Sequence, residues 1–154
     1  MSGLFDGFPN AEQVAALAFL RNGPVDSPGL AISAASSPAP KAGAFSYRID
    51  GKIYAKAAQA TIALTTGGSV AAGATGAYFL SLDAAGDLAV TLATADSNGA
   101  IAVPTPAAGY AFFGAVKVAN GSGAAFTAGT TALDATGITA TYFNLAGIVP
   151  GETL

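Results

Sequence analysis

Carboxylates are the only catalytic equipment this 154-residue chain holds in quantity: it has nine Asp and Glu residues, no histidine and no cysteine. The two absences exclude Ser-His-Asp and Cys-His nucleophilic centres, histidine metal sites, zinc thiolates and a disulfide framework. Asp83 and Asp87 bracket Ala84-Ala85-Gly86, a spacing at which two carboxyls could work as the acid and base of a glycosidase. Turn chemistry accounts for the same pair more simply, because aspartate favours turn positions and strand ends. Asp96-Ser97-Asn98-Gly99 opens like a calcium loop but lacks the distal bidentate acid, and so reads as a turn. Asn120-Gly121-Ser122 matches a glycosylation acceptor in a chain whose first residues show no signal for secretion. Gly67-Gly68 is followed by no Lys-Ser or Lys-Thr and so makes no phosphate cradle. Tyr47, Tyr54, Tyr78, Tyr110 and Tyr142 could stack on sugars if exposed together; singly, each reads as a core or cross-strand residue. The residues therefore point to a non-enzymatic protein with no cofactor and no metal.

The elements that would position these groups are strands. Phe45-Ser46-Tyr47-Arg48-Ile49 and Lys52-Ile53-Tyr54-Ala55-Lys56 flank Asp50-Gly51, the dipeptide of a tight type I′ hairpin. That turn sets Ile49 opposite Lys52, Tyr47 opposite Tyr54 and Phe45 opposite Lys56. Phe45, Tyr47, Ile49 and Tyr54 then share one face, and Arg48, Ile53 and Ala55 the other. A second hairpin joins Ala77–Asp83 to Leu88–Thr94, with Tyr78, Leu80 and Leu82 on one face and Leu88, Val90 and Leu92 on one face of its partner. Further strands are expected over Gln59–Thr65, Tyr110–Ala119, Ala124–Thr127 and Ile138–Leu145. Turn signals recur about every ten residues without helical patterns between them, which predicts an all-β fold, an antiparallel β-sandwich or barrel.

Composition sets the conditions for that fold. The length fits one domain. Apolar residues make up 52% of the chain, but 38 of them are alanine, so the core is lean. Charged residues are only 10%, against about 25% in ordinary domains, which leaves a surface of Ala, Gly, Ser and Thr suited to close contact with other chains. An oligomer is expected on this ground. The net charge of −3 and scattered basic residues give no footprint for nucleic acid or an anionic membrane. Residues 57–82 are uncharged and long enough to span a bilayer, but Gly67, Gly68, Gly73 and Gly76 interrupt them, and no membrane segment is expected.

Residues 1–40 read as an N-terminal arm, 42–149 as the β-domain and 150–154 as a C-terminal tail. In the arm, Asn10 caps a short helix over about 10–22, with Gln13 completing a capping-box variant and Gly23 as the stop. Val14, Leu17, Ala18 and Leu20 form its apolar stripe, which either packs on the β-domain or docks on a partner. Leu4, Phe5 and Phe8 precede it and need cover. The segment 24–41, with Pro24, Pro28, Pro38 and Pro40, is expected as an extended, partly polyproline-like tether.

Several phrases along the chain resemble a known family. They are Phe45-Ser46-Tyr47 and Lys52-Ile53-Tyr54, Gly114-Ala115-Val116-Lys117-Val118, Phe126-Thr127-Ala128-Gly129-Thr130-Thr131 and Ile138-Thr139-Ala140-Thr141-Tyr142-Phe143. Over residues 45–143 the chain resembles the capsid decoration (cement) proteins and related head-fibre proteins of tailed bacteriophages. The resemblance implies a homotrimer on the outer surface of the virion, bound to the major capsid protein and stabilising the shell. Leu4, Phe5, Phe8, Val14, Leu17 and Leu20 are the residues expected to meet the capsid, from the organisation of the chain. The rival expectation is a head- or tail-fibre module that binds host-surface glycans through exposed tyrosines and carboxylates.

Overall fold

The computed structural model describes residues 21–65, 67–145 and 151–154. The expected helix lies outside them as far as residue 20, as do all six candidate capsid-contact residues. Within them the protein is all-β, built from antiparallel pairings. The strands are β1 (Gly23–Pro24), β2 (Ala31–Ile32), β3 (Pro40–Lys41), β4 (Phe45–Ile49), β5 (Lys52–Lys56), β6 (Ser69–Val70), β7 (Thr75–Leu82), β8 (Leu88–Thr94), β9 (Ala111–Asn120), β10 (Phe126–Thr127) and β11 (Ile138–Asn144). They form a four-stranded sheet in the order β11-β9-β7-β8, a three-stranded sheet β1-β4-β5, and two small pairs, β2-β3 and β10-β6. The arrangement is sandwich-like, with the three-stranded sheet laid over the middle of the larger one.

Both expected hairpins form. In β4-β5 the pairs are Ile49 with Lys52, Tyr47 with Tyr54 and Phe45 with Lys56. Asp50 and Gly51 both take positive φ, 49° and 79°, as the type I′ turn requires. Phe45, Tyr47 and Ile49 are buried while Ile53 on the other face is exposed. Arg48, also on that other face, is buried. In the second hairpin β7 and β8 pair from Gly76 with Thr94 to Leu82 with Leu88. Val90 and Leu92 pack on the core, and Leu88 lies exposed.

The four-stranded sheet is covered on both faces. Toward the three-stranded sheet, Tyr78, Leu80, Leu82, Phe113, Val116 and Val118 join Phe45, Tyr47 and Ile49 in the main core. On the opposite face Ala77, Phe79, Phe112 and Ala115 meet Ile101, Val103 and Leu145. Those last residues come from the segment after β8 and the end of β11, and the chain end seals them: Val103 N donates to the Glu152 carbonyl and Leu154 N to that of Ile101. A bulge between Leu80 and Ser81 in the β7-β9 ladder leaves Phe113 as the extra residue. It switches the alternation of β9, so Phe113 and Val116 face the same core and the Phe113 ring meets Phe45 at 5.1 Å.

One expectation is corrected. Residues 59–65 form no strand beyond a single bridge from Gln59 to Ala42. Their alternation is real, with Ile62 and Leu64 buried between exposed neighbours, but the backbone turns to the proline-rich segment, where Ile62 N donates to the Pro40 carbonyl. The proline-rich segment, expected as an extended tether, also makes contacts with the β-domain. Pro24 pairs with Tyr47, Leu30 is buried in the main core, Leu30 N donates to Asn144 Oδ1, and Ser36 N donates to Asp134 Oδ2. Proline keeps it extended, and its apolar side chains supply part of a core that the alanine-rich strands cannot fill alone.

Candidate functional site

The carboxylates singled out for chemistry are turn acceptors. Asp83 Oδ1 accepts from the amides of Ala85 at 2.9 Å and Asp87 at 2.8 Å, closing the β7-β8 loop. Asp96 Oδ1 accepts in the same way from Asn98 at 2.8 Å and Ala100 at 2.9 Å. In each loop the residue three positions on, Gly86 or Gly99, takes positive φ and donates its amide to the aspartate carbonyl. Asp83-Ala84-Ala85-Gly86 and Asp96-Ser97-Asn98-Gly99 are thus the same device used at the two ends of β8. Asp87 enters through its backbone amide. Among the described residues no group of three or more acidic side chains converges as metal ligands would.

The two hairpins are tied together at the first of these turns. Tyr47 Oη donates to the Asp83 carbonyl at 2.8 Å, and Lys56 Nζ donates to the Gly86 carbonyl at 2.6 Å. Tyr54 stacks on Tyr47 with ring centroids 5.6 Å apart. Burial raises the Tyr47 phenol above its ordinary pKa of 10.0, and the Asp83 carboxylate and Tyr54 add to the shift. Tyr78 is fully buried against Phe126, donates to the Gly68 carbonyl, and is pushed up to about 12 by burial. Tyr142 is raised by burial and then by Asp134. Gly67 lies beneath the Tyr78 ring, where a Cβ would stand 2.5 Å from Cδ1, so this glycine serves packing. None of the five tyrosines is fully exposed: Tyr47 and Tyr78 belong to the main core, and Tyr54 and Tyr142 are half-buried against it. They form no open stacking platform for a sugar.

Asn120 is a polar hub that its turn-like sequence concealed. It is 2% exposed, and its Nδ2 donates to the carbonyls of Val70, Ala71 and Ala124 at 3.0, 3.1 and 2.9 Å. Its Oδ1 accepts from the Ser122 amide and hydroxyl. Asn120 thereby joins the end of β9 to β6 and to the approach to β10. The amide nitrogen that a glycan would need is committed inside the fold.

A cleft of about 80 Å³ opens between the hairpins, with buried Phe45, Ile62, Leu82 and Phe113 below and Lys56, Gln59 and Thr61 around it. It has room for one side chain, far less than the roughly 300–1,000 Å³ of a small-molecule site. Fold and geometry define an all-β, sandwich-like body in which Tyr47, Tyr78, Asp83, Asp96 and Asn120 hydrogen-bond its own backbone. No protein-family model, curated protein or solved structure matches the chain.

Proposed function

We propose that this protein is a non-enzymatic structural component of a tailed-phage virion, a homotrimer that binds the outside of the capsid and stabilises the shell. The observation that carries this reading is where the chemistry-capable groups lie. Asp83 and Asp96 close turns, and Tyr47 and Tyr78 hydrogen-bond backbone carbonyls from within the core. Most of the exposed positions among the described residues are Ala, Thr, Ser and Gly, a surface suited to contact. The phrases over residues 45–143 that resemble decoration proteins give the contact its setting. Leu4, Phe5, Phe8, Val14, Leu17 and Leu20 are the side chains that would clasp the major capsid protein. Each apolar side chain buried there contributes about 1.5–3 kcal/mol before ordering costs. Three linked arms would turn weak single contacts into durable attachment.

The test is co-sedimentation of the full chain with shells of its phage that lack it, beside a variant carrying Phe5→Ser, Phe8→Ser and Leu17→Ser. Saturable binding at a fixed ratio to the capsid protein, lost in the variant, is the expected result. Failure of the intact protein to bind at any concentration would overturn the reading.

A further inference from the structure

The four-stranded sheet has two outer edges, and they match. β8 (Leu88-Ala89-Val90-Thr91-Leu92-Ala93-Thr94) and β11 (Ile138-Thr139-Ala140-Thr141-Tyr142-Phe143-Asn144) are each seven residues long. Neither contains a charge or a proline, and the ladders binding them to their neighbours run without a register break. Among the described residues no strand pairs with the far side of either. An edge of this kind is a template for another strand, and proteins that stay single blunt it with lysine, proline or a bulge. This chain uses lysine on the edge of its smaller sheet, where β5 carries Lys52 and Lys56. β8 and β11 carry no such lysine.

Direction matches as well as length. The antiparallel pairings β8-β7, β7-β9 and β9-β11 make β8 and β11 run opposite ways. A second copy placed beside the first in the same orientation therefore sets its β11 antiparallel to β8, the geometry of an ordinary ladder. Exposed Thr91 on β8 and exposed Thr139 and Thr141 on β11 occupy the same face of the sheet, and cross-strand threonine pairs are favourable.

We infer that the occupant of each edge is a second copy of this chain, with β8 of one subunit paired antiparallel to β11 of the next. The contact is heterologous, so it closes a ring of three, the trimer proposed above, where each copy turns by about 120° from the last, and runs on as an open filament where it does not turn. The inference takes its copy number from that reading and deepens it by naming the surface that joins the subunits.

Light scattering on size-separated full-length protein tests the pairing with two single variants, Thr91→Lys on β8 and Thr141→Lys on β11. Both side chains are exposed, so each variant is expected to keep its β-type circular dichroism and a cooperative melt; Thr91→Glu and Thr141→Glu replace any variant that does not. The wild type is expected as a trimer and each variant alone as a monomer. A mixture of the two variants is expected to form a heterodimer, because one unaltered β8 and one unaltered β11 remain between them. A monomeric wild type, a single variant that stays trimeric, or a mixture that stays monomeric would each overturn the pairing. Shell binding is read separately: a wild-type trimer assembled in this way that ignores shells overturns the capsid reading and leaves the edge pairing standing.

Discussion

Tyr47 on β4 donates its phenol proton to the backbone carbonyl of Asp83, 36 residues away, at 2.8 Å. This bond joins the first hairpin to the turn of the second, and Lys56 reinforces it from β5 by capping Gly86. Tyr47→Phe keeps the ring stack on Tyr54 and removes only the donor. The expected loss is about 1 kcal/mol, from a carbonyl left short of its partner, and urea unfolding followed by circular dichroism would measure it.

Alkaline pH should dissolve the same architecture in a defined window. The phenols of Tyr47, Tyr78 and Tyr142 are all raised above 10.0, with Tyr78 at about 12. Between those values the unfolded chain has lost phenolic protons that the folded chain still holds, so stability falls as pH rises. Stability from these groups is therefore whole below about pH 10 and lost on approach to about pH 12. Absorbance of phenolate against pH should show buried tyrosines titrating late and together with unfolding. Tyr78→Phe should flatten the pH dependence in that window.

The two aspartate turns give a matched pair of substitutions. Asp83→Ala and Asp96→Ala each remove an acceptor of two amides, and each is expected to cost about 1 kcal/mol. Asp83→Asn and Asp96→Asn keep an oxygen at the same place and should recover most of that loss. Equal behaviour of Asn and Ala variants in urea unfolding would contradict the turn role at either site.

Asn120 should be among the least replaceable side chains. Asn120→Ala abandons the buried carbonyl of Val70 and the part-buried bonds to Ala71 and Ala124, with an expected cost of about 1–3 kcal/mol. Asn120→Asp should cost more, because it turns a donor into a charge facing those carbonyls. Expression in a glycosylating host should yield protein of unmodified mass at the Asn120-Gly121-Ser122 sequon, checked by mass spectrometry.

How much of this was readable from residues alone follows from how local each cause is. Asp50-Gly51 dictates its own backbone, so the β4-β5 register could be read in advance, pair by pair. Asp83 and Asp96 likewise act within their own turns. The second layer over Phe79 and Phe112 depends on Ile101, Val103 and Leu145, which are distant in sequence and stand in no strand of the four-stranded sheet. The role of Asn120 depends on carbonyls about fifty residues earlier, at Val70 and Ala71, which no turn signal encodes. The bulge at Phe113 hides inside an unbroken apolar run, where period-two reading has nothing to register. The candidate contact residues from Leu4 to Leu20 rest on the organisation of the chain.

The proline-rich segment offers the sharpest test of where the β-domain begins. Its prolines suggested a tether separable from the body, and cutting the chain at residue 40 would follow from that view. Leu30, however, is 7% exposed in the main core and packs against Gly114 of β9, the strand paired with β11, while Asn144 of β11 holds its amide. Leu30→Ala is therefore expected to destabilise the whole body by about 2–5 kcal/mol, the range for a core leucine. Val25→Ala, in the same segment but 48% exposed, should leave the urea midpoint almost unmoved and serves as the control. If Leu30→Ala were as silent as Val25→Ala, the segment would be a dispensable tether and the boundary near residue 40 would stand. A loss in Leu30→Ala alone would put the boundary before β1, and a shortened protein made to test the arm should then keep the chain from Gly23 onward.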